Sequence, residues 1–257
     1  MFTRYGSLRI IYYSIGALLI ICAGVITYFY PDSMIPVLIA IFALTFLDAF
    51  VLSRIALKKF NKEVVSCLYE CNVREYMDKL DKRMANARPS KMKSAYADYS
   101  ALGYDILGDY DSVYDCCQQI TADMHKPDYY RFMFSFYLNK ELFDQAEKTI
   151  CDLRAYRTNC KNQRLQNLCD QFLLEMEYSL NLRKGILDGV EEYYVSKLED
   201  ENIKKVRLSK VSYSYGYGKV LMLKGERERA KDYLKYAAEN GGDTKFTALA
   251  GRLLTEL

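Results

Sequence analysis

The sequence predicts an all-α protein in two parts: an N-terminal transmembrane helical hairpin and a cytosolic array of helix–turn–helix units. Two apolar runs follow each other near the N-terminus, the first without a charge and the second with a single acid before its basic end. Beyond residue 91, four short polar turns separate segments whose apolar residues recur at helical spacing. The final stretch carries one apolar stripe, Phe246, Leu249, Ala250, Leu253, Leu254 and Leu257, suited to covering the end of a stack.

Residues 10–30 contain no charge in 21 positions, which as helix is about 31 Å, close to the roughly 30 Å hydrocarbon core of a bilayer. Tyr12 and Tyr13 near one end, and Tyr28, Phe29 and Tyr30 at the other, suit the two headgroup levels. The chain turns at Pro31-Asp32-Ser33 into a second span, 34–55, with Pro36 in the first turn, where a missing N–H costs nothing. A cleaved signal peptide conflicts with the second span that follows at once, and a lipoprotein signal with Ile21 before Cys22. Arg4 and Arg9 precede the first span, Arg54, Lys58, Lys59 and Lys62 flank the end of the second, and the turn has no basic residue. Both termini are therefore expected in the cytoplasm, with the protein multi-pass in the plasma membrane and the lipid bilayer its first partner. Asp48 is the one acid within a span. Two readings stand: a carboxylate at the interface or bonded to Tyr12 or Tyr13, and a group in transport or proton relay. Gly16, Ala23 and Gly24 fall near one face and would admit a close partner helix, within the hairpin or in a homo-oligomer.

The boundaries expected are 1–57 for the hairpin, 58–90 for a juxtamembrane connector and 91–257 for the repeat domain. In the connector, Asn72 with Glu75 reads as an N-cap and capping box, opening a helix that buries Tyr76, Met77, Leu80 and Met84 and stops at Arg88-Pro89-Ser90. The turns of the array are Leu107-Gly108-Asp109-Tyr110, Lys140-Glu141-Leu142-Phe143, Arg183-Lys184-Gly185-Ile186 and Lys224-Gly225-Glu226-Arg227. Gly241-Gly242 stops the last repeat, and Asp243 is placed to cap the helix after it.

Residues 91–257 resemble tetratricopeptide (TPR) repeats. Units one, two and four supply the pattern as Tyr104, Gly108, Tyr110 and Val113; as Phe134, Tyr137, Phe143 and Ala146; and as Gly218, Leu221, Gly225 and Ala230 with Ala237. The third, with Tyr178, Gly185, Val190 and Tyr194, departs from it, as do the missing Trp and the intervals of 33, 44 and 40 residues between equivalent small positions. The fold expected is a TPR-like α-solenoid with a C-terminal capping helix. The two spans with a repeat ending in Gly-Gly-Asp-Thr also resemble a kind of two-span bacterial membrane protein. In TPR arrays the first helix of each unit lines a concave groove. The resemblance therefore implies groove positions Asp98, Asp105, Arg131, Ser135, Asn139, Glu175, Ser179, Arg183, Tyr215 and Lys219. It further implies a membrane-anchored protein–protein interaction module, a scaffold or adaptor, whose partner is a protein or peptide. The Lys/Asn/Arg set that clamps a C-terminal carboxylate is not reproduced, so no such ligand is expected. The alternative is a structural subunit that oligomerises through its spans and has no soluble ligand.

Little in the sequence points to chemistry. A net charge of +3 without a long Lys/Arg stripe gives no sign of a nucleic-acid partner. The only imidazole, His125, reads as a helix C-terminal residue favourable to the dipole. Eight Cys lack disulfide-scaffold or zinc spacing, Cys67/Cys71 and Cys116-Cys117 being the closest approaches, and are expected to be reduced and mostly buried. No catalytic, cofactor-binding or metal-binding constellation is expected, and the protein is not expected to be an enzyme.

Overall fold

The computed structural model describes residues 6–30, 32, 34–85 and 93–257. Arg4, Pro31, Ser33 and the expected stop at Arg88-Pro89-Ser90 lie outside them. Among the described residues every regular element is helical.

The chain divides into Met1–Ser66 and Cys67–Leu257. In the first unit α1 (Gly6–Phe29) and α2 (Met34–Phe60) pack on each other. A π-helical turn, Asn61–Val65, follows α2 and leads into the short α3 (Ser66–Tyr69). Both α1 and α2 are long and apolar enough to cross a membrane. Their outer surface is Ile, Leu and Phe, with Ile20, Phe42 and Phe46 69%, 77% and 70% exposed. Burying a side chain of this size is worth about 1.5–3 kcal/mol, so water is a poor solvent for that surface. Gly16 and Gly24 face open space, which removes them from the α1–α2 contact. Asp48 is half-buried.

In the second unit α4 (Val73–Ala85) is followed by the pairs α5 (Lys93–Leu107) with α6 (Tyr110–Cys117) and α7 (Lys126–Asn139) with α8 (Phe143–Asn159). Next come α9 (Gln163–Lys184) with α10 (Val190–Glu199), the single turn α11 (Glu201–Lys204), α12 (Arg207–Leu223) with α13 (Arg227–Asn240), and finally α14 (Lys245–Thr255). The four expected turns are present. Gly108, Gly185 and Gly225 take left-handed backbone there, and in the second turn Glu141 does so at φ 60° without being glycine. The long α9 and the inserted α11 account for the stretched interval of the third unit.

Among the described residues, three apolar cores hold the pairs together. Ala97, Ala101, Val113, Cys117, Phe132 and Met133 form the first. Phe134, Leu138, Ala146, Ile150, Leu153, Phe172 and Met176 form the second, so adjacent residues of α7 serve two different cores. The third gathers Val190, Tyr194, Val211, Val220, Leu221, Ala230, Leu234 and Ala250 together with Cys71, from the loop before α4.

Cys71 marks where the two ends of this unit meet. Asp243 accepts from the backbone N–H groups of Val73 (2.6 Å) and Arg74 (2.8 Å), and its own N–H donates to the Cys71 carbonyl (3.2 Å). The first turn of α4 is thus capped by the Gly-Gly-Asp-Thr loop, while Glu75 pairs with Lys79 at 2.7 Å. This corrects two expectations. Asn72 and Glu75 do not form a capping box, and Asp243 does not cap α14, whose N-cap residue is Thr244. Gly242 sits at φ 58° with a Cβ position that would collide with the Cys71 carbonyl oxygen, so only glycine permits the approach. Helix α4 therefore belongs to the helical domain, and the division at Ser66 replaces the connector expected over 58–90.

Candidate functional site

The first helix of each pair displays polar residues at four-residue intervals, which places them on one face. Helix α7 shows Arg131, Ser135 and Asn139; α9 shows Glu175, Ser179 and Arg183; α12 adds Tyr215 and Lys219, and α5 adds Asp105. The structure brings these nine together around one cavity of about 330 Å³. The tenth, Asp98, is not there. It precedes Asp105 by two helical turns, roughly 10 Å along α5, and lines a second cavity of about 550 Å³ with His125, Asp128 and Asn162.

The cavity also has walls that the groove positions leave out. Tyr110, Tyr193, Tyr194 and Tyr213 join Tyr215, and α14 contributes Lys245 and Phe246. Phe246 packs on Tyr215 with ring centroids 5.6 Å apart. Tyr194 reaches the cavity because Gly216 has no side chain; a Cβ there would overlap its ring. The crowding of tyrosines in 193–194 and 213–217 was the available signal. Tyr110, Tyr193 and Tyr194 lie on second helices, outside the first-helix rule that gives the groove positions, while Tyr213 lies on α12 two residues from Tyr215.

Charge is unevenly satisfied. Lys245 Nζ lies 3.1 Å from Asp105 Oδ1, each side chain 15% exposed, and the Ser135 hydroxyl donates to the same oxygen at 2.5 Å. Burial opposes ionisation of Asp105, but the Lys245 charge and the Ser135 hydroxyl win and hold its carboxyl below the usual range. Glu175 accepts from the Tyr213 hydroxyl at 3.4 Å. Lys219 has no acidic partner among the described residues; its Nζ lies over the Tyr215 ring, 5.9 Å from the centroid. Burial pushes its ammonium down to about 8, and the charge of Arg183 pushes the same way. Arg131 lies over the rings of Phe132 and Phe172 at 4.5 and 4.8 Å, and its Nε is buried without a hydrogen-bond partner among the described residues. Four cations thus face two carboxylates, Asp105 and Glu175, in a cavity walled by hydroxyl-bearing rings. Neither His nor Cys lines it. The arrangement suits recognition of a polar ligand by charge and hydrogen bonding.

At the second cavity, Asp98, His125 and Asp128 hold one potential ligand atom each within 4.8 Å of one another, the grouping among the described residues that could hold a metal ion. Its members already have partners: His125 Nδ1 is 2.7 Å from Asp98 Oδ2, and Arg131, outside the grouping, reaches Asp128 with Nη2 at 3.5 Å. Burial, then the neighbouring Asp128, pushes the Asp98 carboxyl up to about 6. The pair ties α5 to the start of α7. His125 closes a short 3-10 helix, Asp123–His125, as the sequence suggested, and at the same time stands at the N-cap of α7, whose first turn holds Pro127.

The eight cysteines are all free thiols, four buried, two partly buried, and Cys22 and Cys151 exposed, so burial is less general than expected. Burial pushes Cys71 and Cys169 up to about 11 and Cys117 to about 12, which keeps these thiols protonated and poor nucleophiles. No family model, curated protein or solved structure matches the chain.

Proposed function

We propose that the chain is a membrane-anchored interaction module. Its N-terminal helices cross the plasma membrane with both termini in the cytoplasm, and its helical domain, a TPR-like solenoid, receives a segment of a partner protein in its groove. One observation carries this reading: nine side chains chosen as groove positions surround a single cavity. Tethering supports function at modest affinity, because confinement at the bilayer raises the effective concentration of two membrane-bound partners.

The test is a photo-crosslinking amino acid placed at Ser179, inside the cavity, or at exposed Asp232 on α13, in the full-length chain in intact cells. Adducts with a defined protein from position 179 and none from 232 are expected. Absence of adducts at 179 would remove the groove from this account. The open space beside Gly16 and Gly24 favours a second reading, self-association through α1. Under that reading the adducts from a crosslinker at Gly24 are the chain itself.

A further inference from the structure

The cavity contains two lysines in contrasting states. Lys245 is buried against Asp105, an arrangement complete without any ligand. Lys219 is drawn out of water with no ion-paired carboxylate among the described residues, and the charge bearing on it is another cation, Arg183. Removing an ammonium from water is costly unless an opposite charge meets it, so an unpaired lysine in a ligand-sized cavity marks a place where something else supplies the anion. Arg183 stands at the exposed end of α9 and likewise makes no ion pair with a described residue. The two charges stand on separate helices, α9 and α12, around the same cavity, and the charge of Arg183 bears on Lys219.

We infer that the cavity binds an acidic segment of a partner protein in extended form, with two side-chain carboxylates set against Arg183 and Lys219. The two cations belong to separate helices, so each can take a carboxylate of its own. Residues i and i+2 of an extended chain present side chains on the same side about 7 Å apart, so successive carboxylates reach successive helices. The tyrosine hydroxyls around the cavity supply hydrogen-bonding partners for the segment's backbone. A free chain terminus is not required, which separates this mode from capture of a terminal carboxylate. The inference rests on the groove being the partner-binding surface.

The experiment uses the full-length chain in detergent and a fluorescent peptide alternating Asp and Ala, blocked at both ends, with a twin carrying Asn for Asp. Fluorescence anisotropy is expected to show the Asp peptide bound at least about tenfold more tightly than the twin, the equivalent of one well-placed charge contact. Lys219→Met and Arg183→Gln should each lose that preference, and Lys219→Arg should keep it. Affinity of the natural chain should fall between pH 7 and 9 as Lys219 releases its proton, and stay flat in Lys219→Arg. Arg183 from α9, Tyr194 from α10, Tyr215 from α12 itself and Lys245 from α14 face the same cavity, so the difference between the two chains isolates Lys219. Thermal melts of each variant establish that it is folded. Equal binding of the Asp and Asn peptides, or unchanged affinity in both charge-removing variants, overturns the inference, as does displacement of the peptide by an equal concentration of inorganic phosphate. If the crosslinker at Ser179 captures a partner while the Asp peptide fails, the charge assignment alone is wrong; if it captures none, the groove reading itself is wrong.

Discussion

Replacing Asp243 with alanine removes both acceptors from the first turn of α4, a helix 170 residues away in the chain. The Val73 N–H bond (2.6 Å) is partly buried, whereas the Arg74 bond (2.8 Å) is exposed and worth less. Loss of a side-chain N-cap costs about 0.5–2 kcal/mol, and a carboxylate at a helix N-terminus adds about 0.3–1 kcal/mol by opposing the macrodipole. Together these give about 2 kcal/mol. For a domain of this size that lowers the melting temperature by roughly 4–8 °C. Asp243→Asn keeps one acceptor without the charge and should lose about half as much. The discriminating measurement is hydrogen exchange on the detergent-solubilised chain: amides of the first turn of α4 should lose protection in Asp243→Ala, while the first turn of α14 should keep it. Fraying of α14 with α4 unchanged, or a melting temperature within a degree of the natural chain, would refute the assignment.

Lys219→Met should stabilise the domain by about 1–3 kcal/mol near neutral pH, since it removes a buried, unpaired charge. The folded pKa of about 8 lies below the ordinary 10.5, so between those values the unfolded chain holds more protons and stability rises with pH. Urea titrations across that window should give a steeper rise for the natural chain than for Lys219→Met, and parallel slopes would contradict the pairing deficit. Gly216→Ala should cost about 1–3 kcal/mol by driving a methyl into the Tyr194 ring, and less in a Tyr194→Ala background, read as a double-mutant cycle. A membrane-impermeant maleimide should label exposed Cys151 only after the cells are permeabilised, and equal labelling before and after would reverse the orientation.

The elements most legible in the sequence were those set by local physics. The two long N-terminal helices follow from unbroken apolar length, and the four turns from Gly and charge breaking a helical period. Nine groove residues follow from register, because side chains four apart share a face once the helix is known. What escaped was long-range. Asp243 offers the same local signal whether it caps its own helix or one 170 residues away, and only packing decides. His125 was legible as the end of a helical turn but not as the N-cap of α7, since a proline marks a start as readily as a stop. The cavity's aromatic wall escaped because Tyr193 and Tyr194 lie on a second helix, and Gly216, which lets Tyr194 in, reads locally only as a weak point in α12.

The cap on α4 also sets a timetable. A ribosome adding about 5–20 residues per second needs roughly 10–35 s to travel from Val73 to Asp243. Throughout that interval the domain's opening helix lacks its terminal anchor, while later pairs can already form on local contacts. Duplicating or deleting a pair would also shift the final loop away from the helix it secures. An open stack tolerates such edits; this one holds its number of pairs by having its beginning finished by its end.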